Sequence, residues 1–238
     1  MGRAGRGAAG CGVNPHALVL DFGGVVSRTL FETHTLTERT LGLAPGTLRW
    51  RGPFDPDSDP LWRAMQAGEL SERDYWLTRA REVGRLVGED WTAMQTLVQR
   101  ARSAEPERIL RPETLALIEQ ARAAGCRLAI LSNELDLFYG RELREQLDCL
   151  RGFDAIVDAT YTGVLKPDPQ AYRLCLESLG LPAQACVFVD DQARNVAGAQ
   201  AVGMVAVHFD VCAPQVSCDE AARALGLETA PPAGPFTA

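Results

Sequence analysis

The chain has 238 residues, 46% of them hydrophobic and 23% charged, with a net charge of −7. That balance is ordinary for a soluble globular protein, and the acidic excess argues against nucleic acid or an anionic membrane surface as partner. No apolar run reaches the ~20 residues of a membrane span, and seven cysteines without a C-x-x-C pair read as reduced thiols of a cytoplasmic protein.

Residues 1–15, rich in Gly, Ala and Arg and without periodicity, read as a disordered leader. The Pro-rich tail, 229–238, reads the same way. Between them, "ALVLDF" (17–22) is a short apolar strand that ends on Asp21 and turns at once through Gly23 and Gly24. Residues 30–105 are helical by pattern, over 59–84 and 89–103, with Ser71 as an N-cap between two helices. A helical block between the first and second strands is an insertion, and at the sheet's carboxyl edge it would be a lid.

Beyond the insertion, helix and strand alternate. The segment 111–125 opens with Pro and closes on Gly as a helix does, and 126–133 is a strand ending in Ser132-Asn133. A helix over 135–147, a strand over 153–159, a helix over 169–180 closed by Gly180, and a strand over 185–191 ending in Asp190-Asp191 follow. The pattern finishes with a helix over 193–203 and a strand over 204–209. Continuous apolar strands alternating with helices predict an α/β fold: a Rossmann-like three-layer domain with a parallel sheet, formed by 16–29 and 106–228, with 30–105 as an inserted α-helical cap. Ligands of such sheets bind at the carboxyl ends of the strands, where the polar residues of this chain collect.

Four strand ends therefore converge. They bring Asp21, Ser132-Asn133, Lys166 in the loop "KPDP", and Asp190-Asp191. A carboxylate, a hydroxyl, an ammonium and an acidic pair suit phosphoryl transfer through a divalent cation. Mg²⁺ takes one or two carboxylates along with water and phosphate, a carboxylate can attack phosphorus, and Lys and Ser can neutralise the equatorial oxygens. Lys166 is the single lysine beside 23 arginines. A cramped slot between a carboxylate and a phosphate favours a compact point charge over a planar fork.

The series DFGGVV, LSN, KPDP and VFVDDQARNVAGAQAVGM, with a helical block between the first two, resembles the haloacid dehalogenase (HAD) superfamily of hydrolases, in the group with a small α-helical cap. The resemblance covers roughly residues 17–209. It implies Asp21 as nucleophile and Mg²⁺ ligand, with the Gly23 carbonyl as a second ligand. It implies Ser132, the Asn133 backbone and the loop glycine Gly24 at the phosphate, and Lys166 between nucleophile and phosphate. Asp191 would be the acidic Mg²⁺ ligand, with Asp190 beside it and Asn195 supporting the metal shell. The implied activity is Mg²⁺-dependent hydrolysis of a small phosphorylated metabolite through an aspartyl-phosphate.

One position departs from the pattern. Most phosphatases of this kind carry a second Asp two residues after the nucleophile, as general acid and base; here that residue is Gly23. Three readings follow: a phosphatase that works, more weakly, on good leaving groups; a dehalogenase-like enzyme, against which Asp190-Asp191 argue; and a binding protein without turnover. Arg28 is a candidate for recognising substrate charge. His34 is either a substitute acid reaching in from the lid or a helix-surface residue. Trp50, Trp62, Tyr75, Trp76 and Trp91 read as cap core, and His208 as structural.

Overall fold

The structure, a computed structural model, describes residues 16–102 and 106–228. The expected leader and tail lie outside the described residues. Strands β1 (Ala17–Leu20), β2 (Arg127–Ser132), β3 (Ala155–Asp158), β4 (Cys186–Asp190) and β5 (Val205–His208) form one parallel sheet, ordered β3-β2-β1-β4-β5. β1 is central, with Leu18 opposite Leu128 on one side and Val187 on the other. Because both faces are covered, every residue of β1 is apolar and fully buried.

The first four helices after β1 are α1 (His34–Leu41), α2 (Pro60–Gln66), α3 (Glu72–Leu86) and α4 (Met94–Arg102). The rest are α5 (Pro112–Ala123), α6 (Leu135–Tyr139), α7 (Arg141–Gln146), α8 (Ala159–Thr162), α9 (Pro169–Leu179), α10 (Ala193–Ala201) and α11 (Pro214–Ala224). Leu18 and Leu20 join Ile118 of α5 and Ala221 of α11 on one face of the sheet. Ala17 and Val19 join Tyr172 and Cys175 of α9 and Ala199 of α10 on the other. The fold is thus the expected α/β layering, with β1 and β4 side by side where the winding changes direction.

Two local expectations fail. The helix over 135–147 is two short helices, because Gly140 between them sits at φ 76, ψ 150, outside helical space. Helix α11 has no counterpart in the sequence reading. Its buried residues are Ser217, Cys218, Ala221 and Ala222, too small to write an apolar stripe.

The inserted helices pack around an apolar cluster of their own that includes Phe31, Trp50, Tyr75, Val83, Trp91 and Leu97. Within it Asp59 caps α2 by accepting from Trp62 N (2.9 Å), takes Tyr75 OH (2.8 Å), and pairs with Arg79 Nη2 at 2.5 Å. Ser71 caps α3 as expected, accepting from Asp74 N. His34 is neither on a helix surface nor at the lid's inner wall: it is buried edge-on to Trp50, ring centroids 4.3 Å apart. Among the described residues no helix is long and apolar enough to cross a membrane.

Candidate functional site

β1 delivers Asp21 to the carboxyl edge of the sheet, and the Asp21 N–H still pairs with Val189 O (2.9 Å). The chain then bends tightly through 22–26. Gly24 adopts φ 81, and a Cβ there would fall 2.6 Å from Asp191 Oδ2. Glycine at 24 therefore serves both the turn and the space in front of Asp191. Gly23 differs: at φ −70, ψ 123 it has ordinary geometry, and a Cβ would meet nothing within 4 Å. The turn is held from behind by α5. Arg111 Nη2 donates to Gly24 O (3.0 Å) and Thr114 Oγ1 to Val25 O (2.7 Å), while Glu32 pairs with Arg111 at 2.7 Å.

Lys166 Nζ lies 2.9 Å from Asp21 Oδ1 and donates to Asp190 Oδ2 at 2.6 Å. The lysine's backbone is clamped by the Asn133 side chain, which accepts from Lys166 N (2.7 Å) and donates to Lys166 O (3.2 Å). Asp190 is fully buried and engaged on both oxygens: Asn195 Nδ2 donates to each, and Gln192 N to Oδ1 (2.8 Å). Tyr172 OH in turn donates to Asn195 O (2.7 Å). Asp190 thus sits behind the site, anchoring Lys166 and the start of α10, whereas Asp191 faces the cavity.

The charge is unbalanced. Asp21, Asp190 and Asp191 bring carboxylate oxygens within 4.8 Å of one another, against one ammonium. Burial pushes the Asp21 carboxyl up to about 7, Lys166 pulling against it. Burial, then Asp190 and Asp21, hold Asp191 well above the usual carboxylate range. For Lys166 burial works against the charge, but the two carboxylates together outweigh it and its pKa lies above the ordinary value.

These groups floor a cavity of about 350 Å³, walled opposite by the inserted helices. Asp21, Gly23, Gly24, Ser132, Asn133, Lys166 and Asp191 all line it, and so does Arg28. Trp62 and Trp76 also line it, so they are not core alone; Trp50, Tyr75 and Trp91 are buried in the helical cluster. His208 Nε2 lies 3.0 Å from Asp191 O at the surface.

Three features went unforeseen. Arg102, nearly fully buried on α4, reaches Ser27 Oγ, Tyr139 OH and the Arg28 carbonyl at the cavity wall. Arg111 supports the turn after Asp21. Two adjacent residues of α3 bridge the cavity mouth: Glu72 accepts from Arg194 Nη2 (2.5 Å) on α10, and Arg73 Nε donates to Glu134 (2.6 Å) after β2. The last two pairs are separated by 122 and 61 residues, so no local pattern announces them.

Comparison with known proteins places these motifs. Mouse acyl-CoA dehydrogenase family member 10 is 28% identical over 72% of the chain, and a phosphatase from Mycobacterium tuberculosis is 33% identical over 42% of it. The matches span 15% and 46% of those proteins' own lengths. A sesquiterpene phosphatase of Aspergillus oryzae is 26% identical over 81% of the chain and 89% of its own length. In fold, the chain is similar to the magnesium-bound HAD-hydrolase YfnB of Bacillus subtilis, with TM-score 0.64 and 18% identity over 90% of the chain and all of that one. Residues 16–203 match the haloacid dehalogenase-like hydrolases as a family, and the chain belongs to that family.

Proposed function

We propose that the chain is a Mg²⁺-dependent phosphomonoester hydrolase with Asp21 as nucleophile, residues 30–105 serving as its cap over a core of 16–29 and 106–228. The observation that carries the reading is the cavity floor. Asp21 Oδ1 is held 2.9 Å from a buried ammonium, with a second free-facing carboxylate, Asp191, beside it. The phosphatases among its relatives support the same chemistry.

The donor set fits a hard dication. In their ionised forms the three carboxylates, against one lysine, leave two negative charges, all on oxygen. Gly24 keeps the space in front of Asp191 clear. Asp21 and Asp191 would hold the ion, with the Gly23 carbonyl as a further oxygen and Asp190 behind them. When bound, Mg²⁺ would screen the nucleophile from an anionic substrate and neutralise the phosphoryl oxygens.

The chain's own residues supply the rest. Lys166 orients Asp21 and adds positive charge, and the buried Ser132 hydroxyl and the backbone at Asn133 and Gly24 offer donors to the phosphate. An Asp21 oxygen attacks phosphorus and the ester P–O bond breaks with its electron pair on the departing oxygen. Gly23 has no side chain to protonate that oxygen, so the proton comes from water, and alcohols that leave easily turn over faster than those that do not. Water then attacks phosphorus, the P–O bond to Asp21 breaks, and phosphate and the free carboxylate are restored. A cytoplasmic setting with reduced thiols goes with this reading.

The test is phosphate release from a panel of phosphate esters with and without Mg²⁺, for wild type and Asp21→Asn. Mg²⁺-dependent release should fall on the order of 10³-fold or more in the variant, as loss of a covalent nucleophile does. No release from a protein shown to bind Mg²⁺ would make it a binding protein. Halide release from a haloacid without Mg²⁺ would make it a dehalogenase.

A further inference from the structure

The cavity above Asp21 is apolar on the side away from the sheet. Leu30, Phe31, Trp62, Trp76, Phe138 and Leu165 line it, and all but Phe138 and Leu165 come from the inserted segment. Most polar side chains around that wall already pair with a neighbour. Thr29 Oγ1 donates to Glu32, Ser71 Oγ to Asp74, and Arg102 to Tyr139 OH, while Arg73 pairs with Glu134 and Arg194 with Glu72. Sugar hydroxyls placed here would have to break those pairs or go unbonded, and leaving buried polar groups unpaired is how a site rejects a ligand. With the Ser132 hydroxyl given to the phosphate, the apolar wall itself offers a sugar no donors among the described residues but the two indole N–H groups.

We infer that the substrate is the phosphate monoester of a bulky apolar alcohol, with its phosphate on Asp21 and its carbon skeleton against Trp62 and Trp76. The volume, about 350 Å³, is that of a pocket for one small organic molecule. Two indoles, a phenylalanine pair and aliphatic side chains give such a skeleton contact area without demanding a hydrogen bond from it. The inference rests on the hydrolase reading, and it adds a wall that selects the leaving alcohol.

The experiment is a series of butyl, hexyl, octyl and decyl phosphates with a hexose phosphate alongside, assayed with Mg²⁺. Until the wall is covered, kcat/KM should rise about threefold to fourfold per methylene, the factor that burying one methylene provides. The hexose phosphate should fall roughly tenfold or more below octyl phosphate, the scale of a polar mismatch in an apolar pocket. Trp76→Ala should flatten the series. Because Trp76 packs against Phe31 and Tyr75, Leu165→Ser is the second variant, at a half-exposed position whose change spares the fold. It should lower the octyl-to-butyl ratio as well. A flat series, or a hexose phosphate turned over as well as octyl phosphate, overturns the inference. Should no ester turn over, the hydrolase reading fails by itself. The ordering is then read as binding of octyl phosphate and hexose phosphate to Asp21→Asn, followed by quenching of Trp62 and Trp76, and equal affinities overturn the inference there too.

Discussion

A Cβ at position 24 would fall 2.6 Å from Asp191 Oδ2, and one at position 23 would meet nothing within 4 Å. Gly24→Ala should therefore cost about 1–2 kcal/mol for the left-handed backbone and also push Asp191 out of the site. Activity should fall more than the fold suffers, a contrast seen by pairing a urea melt with a Mg²⁺ titration. Gly23→Asp meets neither obstacle, since φ −70, ψ 123 suits any residue. It should leave stability within about 1 kcal/mol of wild type while raising turnover of alkyl phosphates, up to on the order of 10²-fold, by supplying the missing acid. The p-nitrophenyl ester, whose leaving group needs no proton, should gain little, and equal gains on both esters would show that position 23 is not where a proton is needed. The residues proposed to carry the chemistry stand out in the sequence because Asp21, Ser132 and Asp190-Asp191 close apolar runs, while Lys166, beyond β3 and α8 and at no strand end, stands out as the single lysine. That Asp190 lies inward and Asp191 outward is not written in the local pattern; only the family resemblance set Asp191 toward the metal. Two adjacent aspartates look alike until the tertiary fold shows which one meets Lys166 and Asn195.

Among the elements, α3 stands out because its first turn touches both sides of the cavity mouth. Glu72 meets Arg194 and Arg73 meets Glu134, two charges of opposite sign answered by two of opposite sign, an arrangement that favours one register of the helix. The arginines are about half exposed, which keeps each pair within roughly 1 kcal/mol and sensitive to salt. Such pairs align α3 without locking it. Glu72→Arg should loosen the mouth and raise acrylamide quenching of Trp62 and Trp76, and the exchange Glu72→Arg with Arg194→Glu should restore it. If the exchange is as open as the single variant, the pair does not position α3. Element boundaries were legible where turn chemistry is explicit, as at Ser71, Pro112 and Gly180. They were missed where tertiary contact decides: at Gly140, which splits a periodic segment, and in α11, whose inward residues are small.

Across the described residues, apolar burial falls into three clusters, two on the faces of the sheet and one inside the inserted helices. The third packs around His34, whose two ring nitrogens make no hydrogen bond of normal geometry among the described residues. Burial is the largest cause, with Arg51 and then Arg79 pushing the same way and Glu38 opposing them, and together they bring its pKa down to about 4. In the unfolded chain a histidine titrates near 6.5. Between these values the unfolded chain takes up a proton that the folded one refuses, so stability is full above about 6.5 and falls as pH drops toward 4. The span of roughly 2.5 pH units corresponds to about 3 kcal/mol at most, a sizeable part of a domain's stability. His34→Phe removes the titration and the buried ring nitrogens together. It should match or exceed wild type at neutral pH and keep its urea midpoint where wild type loses its own. All four tryptophans, at 50, 62, 76 and 91, lie in the inserted segment, so their fluorescence reports this cluster while far-UV circular dichroism reports the whole fold. The acid loss should appear first in fluorescence if the helical cluster opens before the sheet, and in both signals at once if Arg102, Arg73 and Glu72 couple the two into one unit. Those three contacts span the boundary, and coincident midpoints are the expected result. Parallel acid losses in wild type and His34→Phe would instead assign the pH dependence to the carboxylates of the site.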